Sequence, residues 1–133
     1  MLNRKVVECR LKDVSFKCFI QGEYVGIQDV DLYILLENLL DNALEAACKC
    51  VEKRIDLDMY ADESGISMRI GNSVNENVTE KNPNMITTKA DRKKHGFGLQ
   101  NVRDVVKKYD GVIEYDMKLE NYLLCKVMLK KSL

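Results

Sequence analysis

The chain has 133 residues, 46% of them hydrophobic and 32% charged, with Lys and Arg (21) balancing Asp and Glu (21). That length holds one hydrophobic core and not two, and the composition is that of a folded globular domain rather than a disordered segment. The balanced charge gives no field to attract nucleic acid or an anionic surface, and no apolar run nears the roughly 18 residues needed to cross a bilayer. Neither a nucleic-acid partner nor a membrane contact is therefore expected of this domain.

Residues Leu2 to Cys9 read as the last turns of a helix that begins upstream, so 1–12 sit at the margin of a single domain spanning 1–133. No signal-peptide core follows the first methionine. Val14 to Ile20 has the alternation of a half-buried strand, and Tyr24 to Ile27 is its expected partner across a Gln21-Gly22-Glu23 turn. Asp29 or Asp31 then supplies an N-cap. From Asp31 to Ala47, and on to about Cys50, Leu32, Leu35, Leu36, Leu39, Leu40 and Ala43 recur at threes and fours, the stripe of a helix packed on a core. Asn38 and Asn42 stand one turn apart on that helix, with Glu45 three residues further on. Asparagine is a mediocre helix former. Two readings are open: the pair is solvated or bridges to a loop, or it presents amides to a ligand.

Ile55, Leu57 and Met59 alternate with polar neighbours, and so do Ile66, Met68 and Ile70; with turn chemistry at Asp62-Glu63-Ser64-Gly65 they predict a hairpin. From Gly71 to Lys94 the pattern disappears into asparagines, the only proline (Pro83) and a basic cluster of Lys89, Arg92, Lys93 and Lys94. A long irregular stretch inside a compact domain reads as a functional lid, assigned here to 73–94, or as a surface insert. Regular structure is expected to resume after Gly96-Phe97-Gly98, with Leu99, Val102, Val106 and Tyr109 at helical spacing. Asp110-Gly111 ends that helix through a left-handed glycine. Val112 to Met117 and Tyr122 to Leu129 complete a second hairpin around Glu120-Asn121. The order predicts an α+β fold: a two-layer α/β sandwich, a sheet with helices on one face.

Five cysteines (Cys9, Cys18, Cys48, Cys50, Cys125) are odd in number, and Cys48-x-Cys50 has neither redox nor zinc spacing. Buried free thiols in a reducing compartment are expected, which places the domain in the cytoplasm.

Two stretches carry chemistry. His95-Gly96-Phe97-Gly98-Leu99 lies where a basic loop becomes a helix. Glycines there allow close backbone approach, and free N–H groups at a helix start attract phosphate. A tight turn is the simpler alternative, but it leaves the long basic loop and the paired asparagines unexplained. A divalent metal would give the asparagines a role, since Mg²⁺ takes one or two protein oxygens, several waters and substrate phosphates. An amide oxygen of Asn42, with Asn38 holding water or phosphate, meets that need without repelling a nucleotide. Thr87, Thr88 and Lys89 add hydroxyls and an ammonium.

Asn38-Leu-Leu-Asp-Asn42-Ala-Leu-Glu45-Ala resembles the N box of the GHKL ATPase superfamily. Thr88-Lys89 with His95-Gly96-Phe97-Gly98-Leu99-Gln-Asn-Val102 resembles its G2 box and ATP lid. The form is similar to the catalytic domains of bacterial sensor histidine kinases of the peptide quorum-sensing and citrate-sensing types, over roughly Val14 to Leu129. The resemblance implies a two-layer α/β sandwich of the Bergerat type, with a mixed, mainly antiparallel sheet, that binds ATP with Mg²⁺. Asn42 would be the metal ligand, and Asn38, its neighbour near the phosphates, the catalytic position. Gly96, Gly98 and Leu99 would offer amides to the phosphate chain, with Thr88, Lys89 and His95 as supporting contacts. An ordinary surface or capping role for His95 stays open beside a phosphate contact.

One departure stands out. The Asp-x-Gly-x-Gly of the family's G1 box is Asn72-Ser73-Val74-Asn75-Glu76 here. Asn72 either ends its strand or accepts from the adenine amine without a carboxylate's charge assistance, worth about 1 kcal/mol. Weaker or less selective adenine binding follows. An amide at position 38 cannot act as a general base toward water, which fits phosphoryl transfer to a group elsewhere. The resemblance thus implies a two-component kinase domain phosphorylating a histidine on a dimerisation domain outside this chain. A response regulator would lie downstream, and the full-length protein would be membrane-anchored. A stand-alone serine kinase of the anti-sigma-factor type and a nucleotide-responsive interaction module without phosphotransfer are the alternatives.

Overall fold

The computed structural model describes residues 2–23, 26–75 and 89–130, with the side chains of 89–97, 118 and 119 left outside the description. In chain order the elements are α1 (Leu2–Leu11), β1 (Ser15–Gln21), α2 (Asp29–Cys48), β2 (Arg54–Ala61), β3 (Gly65–Ser73), α3 (Lys89–Lys108), β4 (Val112–Leu119) and β5 (Tyr122–Lys130). The five strands form one sheet in the order β1-β2-β3-β5-β4. Only β1 and β2 are parallel; the other pairs are antiparallel. This is the two-layer sandwich that the element order predicts, with the mixed, mainly antiparallel sheet that the resemblance implies.

Alternation builds the two faces. Ile55, Leu57 and Met59 of β2, Ile66, Met68 and Ile70 of β3, and Cys125, Val127 and Leu129 of β5 are buried. They meet Leu35, Leu36, Leu39, Leu40 and Ala43 of α2 and Val102, Val105, Val106 and Tyr109 of α3. Each fully buried Leu, Ile or Val contributes about 1.5–3 kcal/mol relative to exposure. The opposite face is mixed: Tyr60, Met128 and Val112 stand exposed along one cross-strand row, and charges line the next. Asp58 of β2 pairs with Arg69 of β3, Arg69 with Lys126 of β5, and Lys126 with Glu114 of β4, a row of opposite and like charges that keeps this face wet.

Several expectations are corrected. β1 pairs with β2; of its expected partner Tyr24 to Ile27, residues 26–27 form no strand, Ile27 being buried just before α2, and residues 24–25 lie outside the described residues. The crossover through α2 explains the parallel pairing, because strands joined by a helix return in the same direction. The N-cap of α2 is Gln28, which makes no side-chain cap bond, while Asp29 and Asp31 sit in the first turn, where their charge suits the helix dipole. The helix ends at Cys48. At the end of α3 it is Asp110, φ 49°, that adopts the left-handed conformation. Gly111 is required for another reason: a Cβ there would stand 2.3 Å from the Met128 carbonyl oxygen. Regular structure also intrudes on the expected lid, since Ser73 belongs to β3 and residues 89–94 to α3; residues 76–88 lie outside the described residues.

The described cysteines are all free. Cys9, Cys50 and Cys125 are buried, and burial pushes the Cys125 thiol up to about 12, which makes it chemically quiet. Cys18, on edge strand β1, is exposed rather than buried. Among the described residues no helix is long and apolar enough to cross a membrane.

Candidate functional site

Asn38 lies half-buried in the middle of α2. Its amide nitrogen donates back to the Ile34 carbonyl at 2.7 Å, which aims the amide oxygen across the helix surface. That oxygen meets Gly98 of α3. A Cβ added to Gly98 would stand 2.4 Å from Asn38 Oδ1 and 3.1 Å from Asn38 Cγ. Only a glycine admits this approach, because real Cβ contacts of that length do not occur. The two stretches singled out in the sequence, sixty residues apart, therefore touch. One turn on, Asn42 is half-buried and its side chain makes no hydrogen bond among the described residues. Its amide oxygen is available.

The second stretch differs from expectation. α3 begins at Lys89, so Gly96, Gly98 and Leu99 fall inside the helix rather than before it. Interior helix amides are committed to carbonyls four residues earlier. Presenting them to a phosphate requires the preceding turns to open, a change favoured by two glycines, each about 1 kcal/mol poorer than alanine in a helix. Lys89 and His95 lie on α3 by their backbone, their side chains being outside the description, and Thr88 lies outside the described residues.

Asn72, near the end of β3, is 4% exposed. Its amide nitrogen donates to the Ser73 carbonyl at 3.0 Å. This fixes which way the amide faces, and its oxygen has no donor among the described residues. A buried acceptor without a donor costs free energy unless a ligand supplies one. Beneath it, on the open face of the sheet, the Tyr122 ring covers Gly71 so closely that a Cβ at Gly71 would meet the phenol oxygen at 1.9 Å. Tyr122 donates to Asp56 at 2.7 Å, Arg54 stacks on its ring at 4.9 Å and pairs with Asp56 at 2.8 Å, and Ser73 Oγ accepts from the Arg54 amide at 3.0 Å. These contacts hold the strand end that presents Asn72. A cleft of about 440 Å³ opens beside them, lined by Cys50, Arg54, Ser73, Asn75 and Tyr122 among others. It contains none of Asn38, Asn42, Asn72 or Gly98, and it is not the site developed here.

Two sets of contacts that the sequence pattern did not predict hold α2 in place. Asp31, 6% exposed, accepts from Tyr109 Oη at 2.5 Å and from Lys108 Nζ at 2.9 Å, and Tyr109 in turn accepts from the Gln28 amide at 3.0 Å. Burial works to raise the Asp31 pKa, but the bonds from Tyr109 and Lys108 outweigh it and hold the carboxyl below its ordinary value. Burial and Asp31 together push the Tyr109 hydroxyl up. With Asp31 against Tyr109 and Asn38 against Gly98, α2 and α3 run antiparallel. On the other flank of α2, Lys5 of α1 is buried against Asp41 and Glu37. A lysine sharing a short helix face with Cys9 is the one signal that could have drawn attention to it.

Among the described residues no group of three or more His, Cys, Asp or Glu is placed to hold a metal ion. A resident multidentate metal site does not fit them. A Mg²⁺ that arrives with phosphates does, since it needs one or two protein oxygens and Asn42 has one uncommitted.

Residues 27–130 match the family model described as the GHKL domain. No curated protein matches the chain. Among solved structures, the nucleotide-free catalytic domain of histidine kinase ThkA is 20% identical with a TM-score of 0.69, covering 98% of this chain and 94% of that one. A mycobacterial sensor histidine kinase, MprB, is 17% identical with a TM-score of 0.71, covering 96% and 91%. At such identities the likeness is one of fold. On the family match over residues 27–130, the chain belongs to the GHKL domain family.

Proposed function

We propose that this domain binds Mg-ATP between α2 and α3 and transfers its γ-phosphate to a histidine on a separate dimerisation domain, as the catalytic part of a two-component sensor kinase with a response regulator downstream. The observation that carries the reading is the contact between Asn38 and Gly98, which puts an amide-bearing helix face against a glycine-softened helix. Asn72 supports it, offering a buried acceptor suited to an exocyclic amine.

In this reading Asn72 orients the base, and the Asn38 and Asn42 amides line the triphosphate. The backbone of Gly96, Gly98 and Leu99 takes up phosphate oxygens once the first turns of α3 open, with Thr88, Lys89 and His95 adding contacts. Asn42 would hold the metal, which supplies charge neutralisation at the transferring phosphate. Asn38 has no basic lone pair to activate water, so this chain positions the phosphate and leaves the acceptor to its partner. ATP serves as donor, and hydrolysis by the isolated domain is slow.

Calorimetric titration with ATP, with and without Mg²⁺, tests the reading. Binding that strengthens with the metal supports it. Asn42→Ala should abolish Mg-ATP binding while leaving the melting temperature within a few degrees, because the side chain is half-buried and makes no hydrogen bond among the described residues. Undiminished affinity in that variant would sink the site assignment. Phosphate transfer from labelled ATP to a supplied histidine-bearing helical hairpin separates a kinase from a binding module, and transfer to a partner's serine would point to the anti-sigma-factor type.

A further inference from the structure

Glu37 and Asp41 each precede one of the site asparagines by one residue, about 100° round the helix. Like charges at this spacing destabilise a helix and add negative potential beside a site meant for phosphates. Lys5 answers both. Its side chain is 3% exposed, and its ammonium lies against Asp41, 3.4 Å from Glu37 and 3.5 Å from Glu8. Burial works to lower the Lys5 pKa, yet Asp41, Glu37 and Glu8 outweigh it and keep the group above the ordinary lysine value, so it stays a cation. Arg4, largely exposed, reaches Glu37 at 3.3 Å and Tyr33 at 3.3 Å. Val7 and Leu11 of α1 face outward while Cys9 is buried in the core, so these ion pairs join α1 to α2 beside that apolar contact.

We propose that Lys5 is a positioning residue for the nucleotide: from the far flank of α2 it neutralises Glu37 and Asp41, and so sets how tightly the Asn38–Asn42 face holds a triphosphate. The inference rests on the Mg-ATP reading above. It makes α1 an input to the site. Any displacement of α1 that withdraws Lys5 bares two carboxylates next to the phosphates and lowers ATP affinity. The effect acts on charge, so adenosine, which has no phosphates, is indifferent to it.

The test uses the whole chain with Lys5→Met, Lys5→Arg, Asp41→Asn and the double variant Lys5→Met with Asp41→Asn, titrated with Mg-ATP and with adenosine. In low salt Lys5→Met should weaken Mg-ATP by about threefold to tenfold, fading at high ionic strength. Its adenosine affinity should stay unchanged. Lys5→Arg should behave as wild type. The double variant restores the wild-type local charge and should restore affinity, while Asp41→Asn alone should bind more tightly than wild type. Unchanged ATP affinity in Lys5→Met, equal loss of ATP and adenosine, or a double variant that stays weak would each overturn the proposal. Should Lys5→Met fail to fold, Asp41→Asn and the double variant differ by the same charge; equal ATP affinities in those two would overturn it as well. A wild-type chain that binds neither ligand would instead defeat the nucleotide reading itself.

Discussion

Family resemblance and structure make opposite predictions for Asn72→Asp. Restoring a carboxylate at the adenine position should, by resemblance alone, strengthen binding by about 1 kcal/mol through a charge-assisted bond. The local geometry says otherwise. The Asn72 amide nitrogen donates to the Ser73 carbonyl at 3.0 Å, and a carboxylate there would set one oxygen against another. At 4% exposure water offers little relief. The introduced group must then stay protonated, donating to Ser73, and its folded-state pKa rises above the unfolded value. Stability is therefore close to wild type below about pH 4 and falls by about 1.4 kcal/mol per pH unit above it. The loss is about 1.5 kcal/mol at pH 5 and at most about 4 kcal/mol at pH 7, reached only if the folded pKa lies that high. Urea unfolding at the two pH values reads this directly, and ATP titration at pH 7 should show weaker binding. Stability equal to that of wild type at both pH values, or tighter ATP binding, would refute the argument.

Gly98→Ala places a methyl 2.4 Å from Asn38 Oδ1 and breaks the Asn38–Ile34 bond, at a cost of about 1 kcal/mol that the better helix propensity of alanine roughly cancels. The melting temperature should barely move while ATP affinity falls at least tenfold; parallel changes in both would count against a role confined to the site. Tyr109→Phe leaves the Gln28 amide and Asp31 each short of a partner and should cost about 2 kcal/mol in urea unfolding at pH 7. Because the Asp31 pKa is depressed in the fold, its contribution is present above about pH 4 and is lost as pH falls through the folded value. The difference between Tyr109→Phe and wild type should accordingly shrink on acidification, and a gap that is constant with pH would contradict this assignment.

What is legible in the sequence is whatever periodicity encodes. The stripe of α2 and the alternation of β2, β3, β4 and β5 follow from residues spaced three or four, or two, apart. Non-local choices are not legible. β1 pairs in parallel with a strand on the far side of a 20-residue helix, and nothing in Ser15 to Gln21 names that partner. The start of α3 escapes the pattern because glycines usually signal a loop, whereas Gly98 is tolerated inside a helix that Asn38 approaches. Asp110 and Gly111 exchange roles for a similar reason, the glycine being demanded by Met128 rather than by backbone twist. In the site, spacing and resemblance point to Asn38, Asn42 and Gly98. The locked amide of Asn72 and the buried ammonium of Lys5 depend on contacts across 1 and 36 residues that only the folded path creates.

The antiparallel pair formed by α2 and α3 is joined like a pair of tongs. Asp31, Lys108 and Tyr109 rivet one end, and at the site a carboxamide rests on a bare α-carbon. Seven residues separate rivet from tip along α2, about 10 Å of lever, so a tilt of about 10° parts the jaws by roughly 2 Å. Small angular play at the rivet is thus enough to change what the tips can grip, with the sheet beneath left undisturbed.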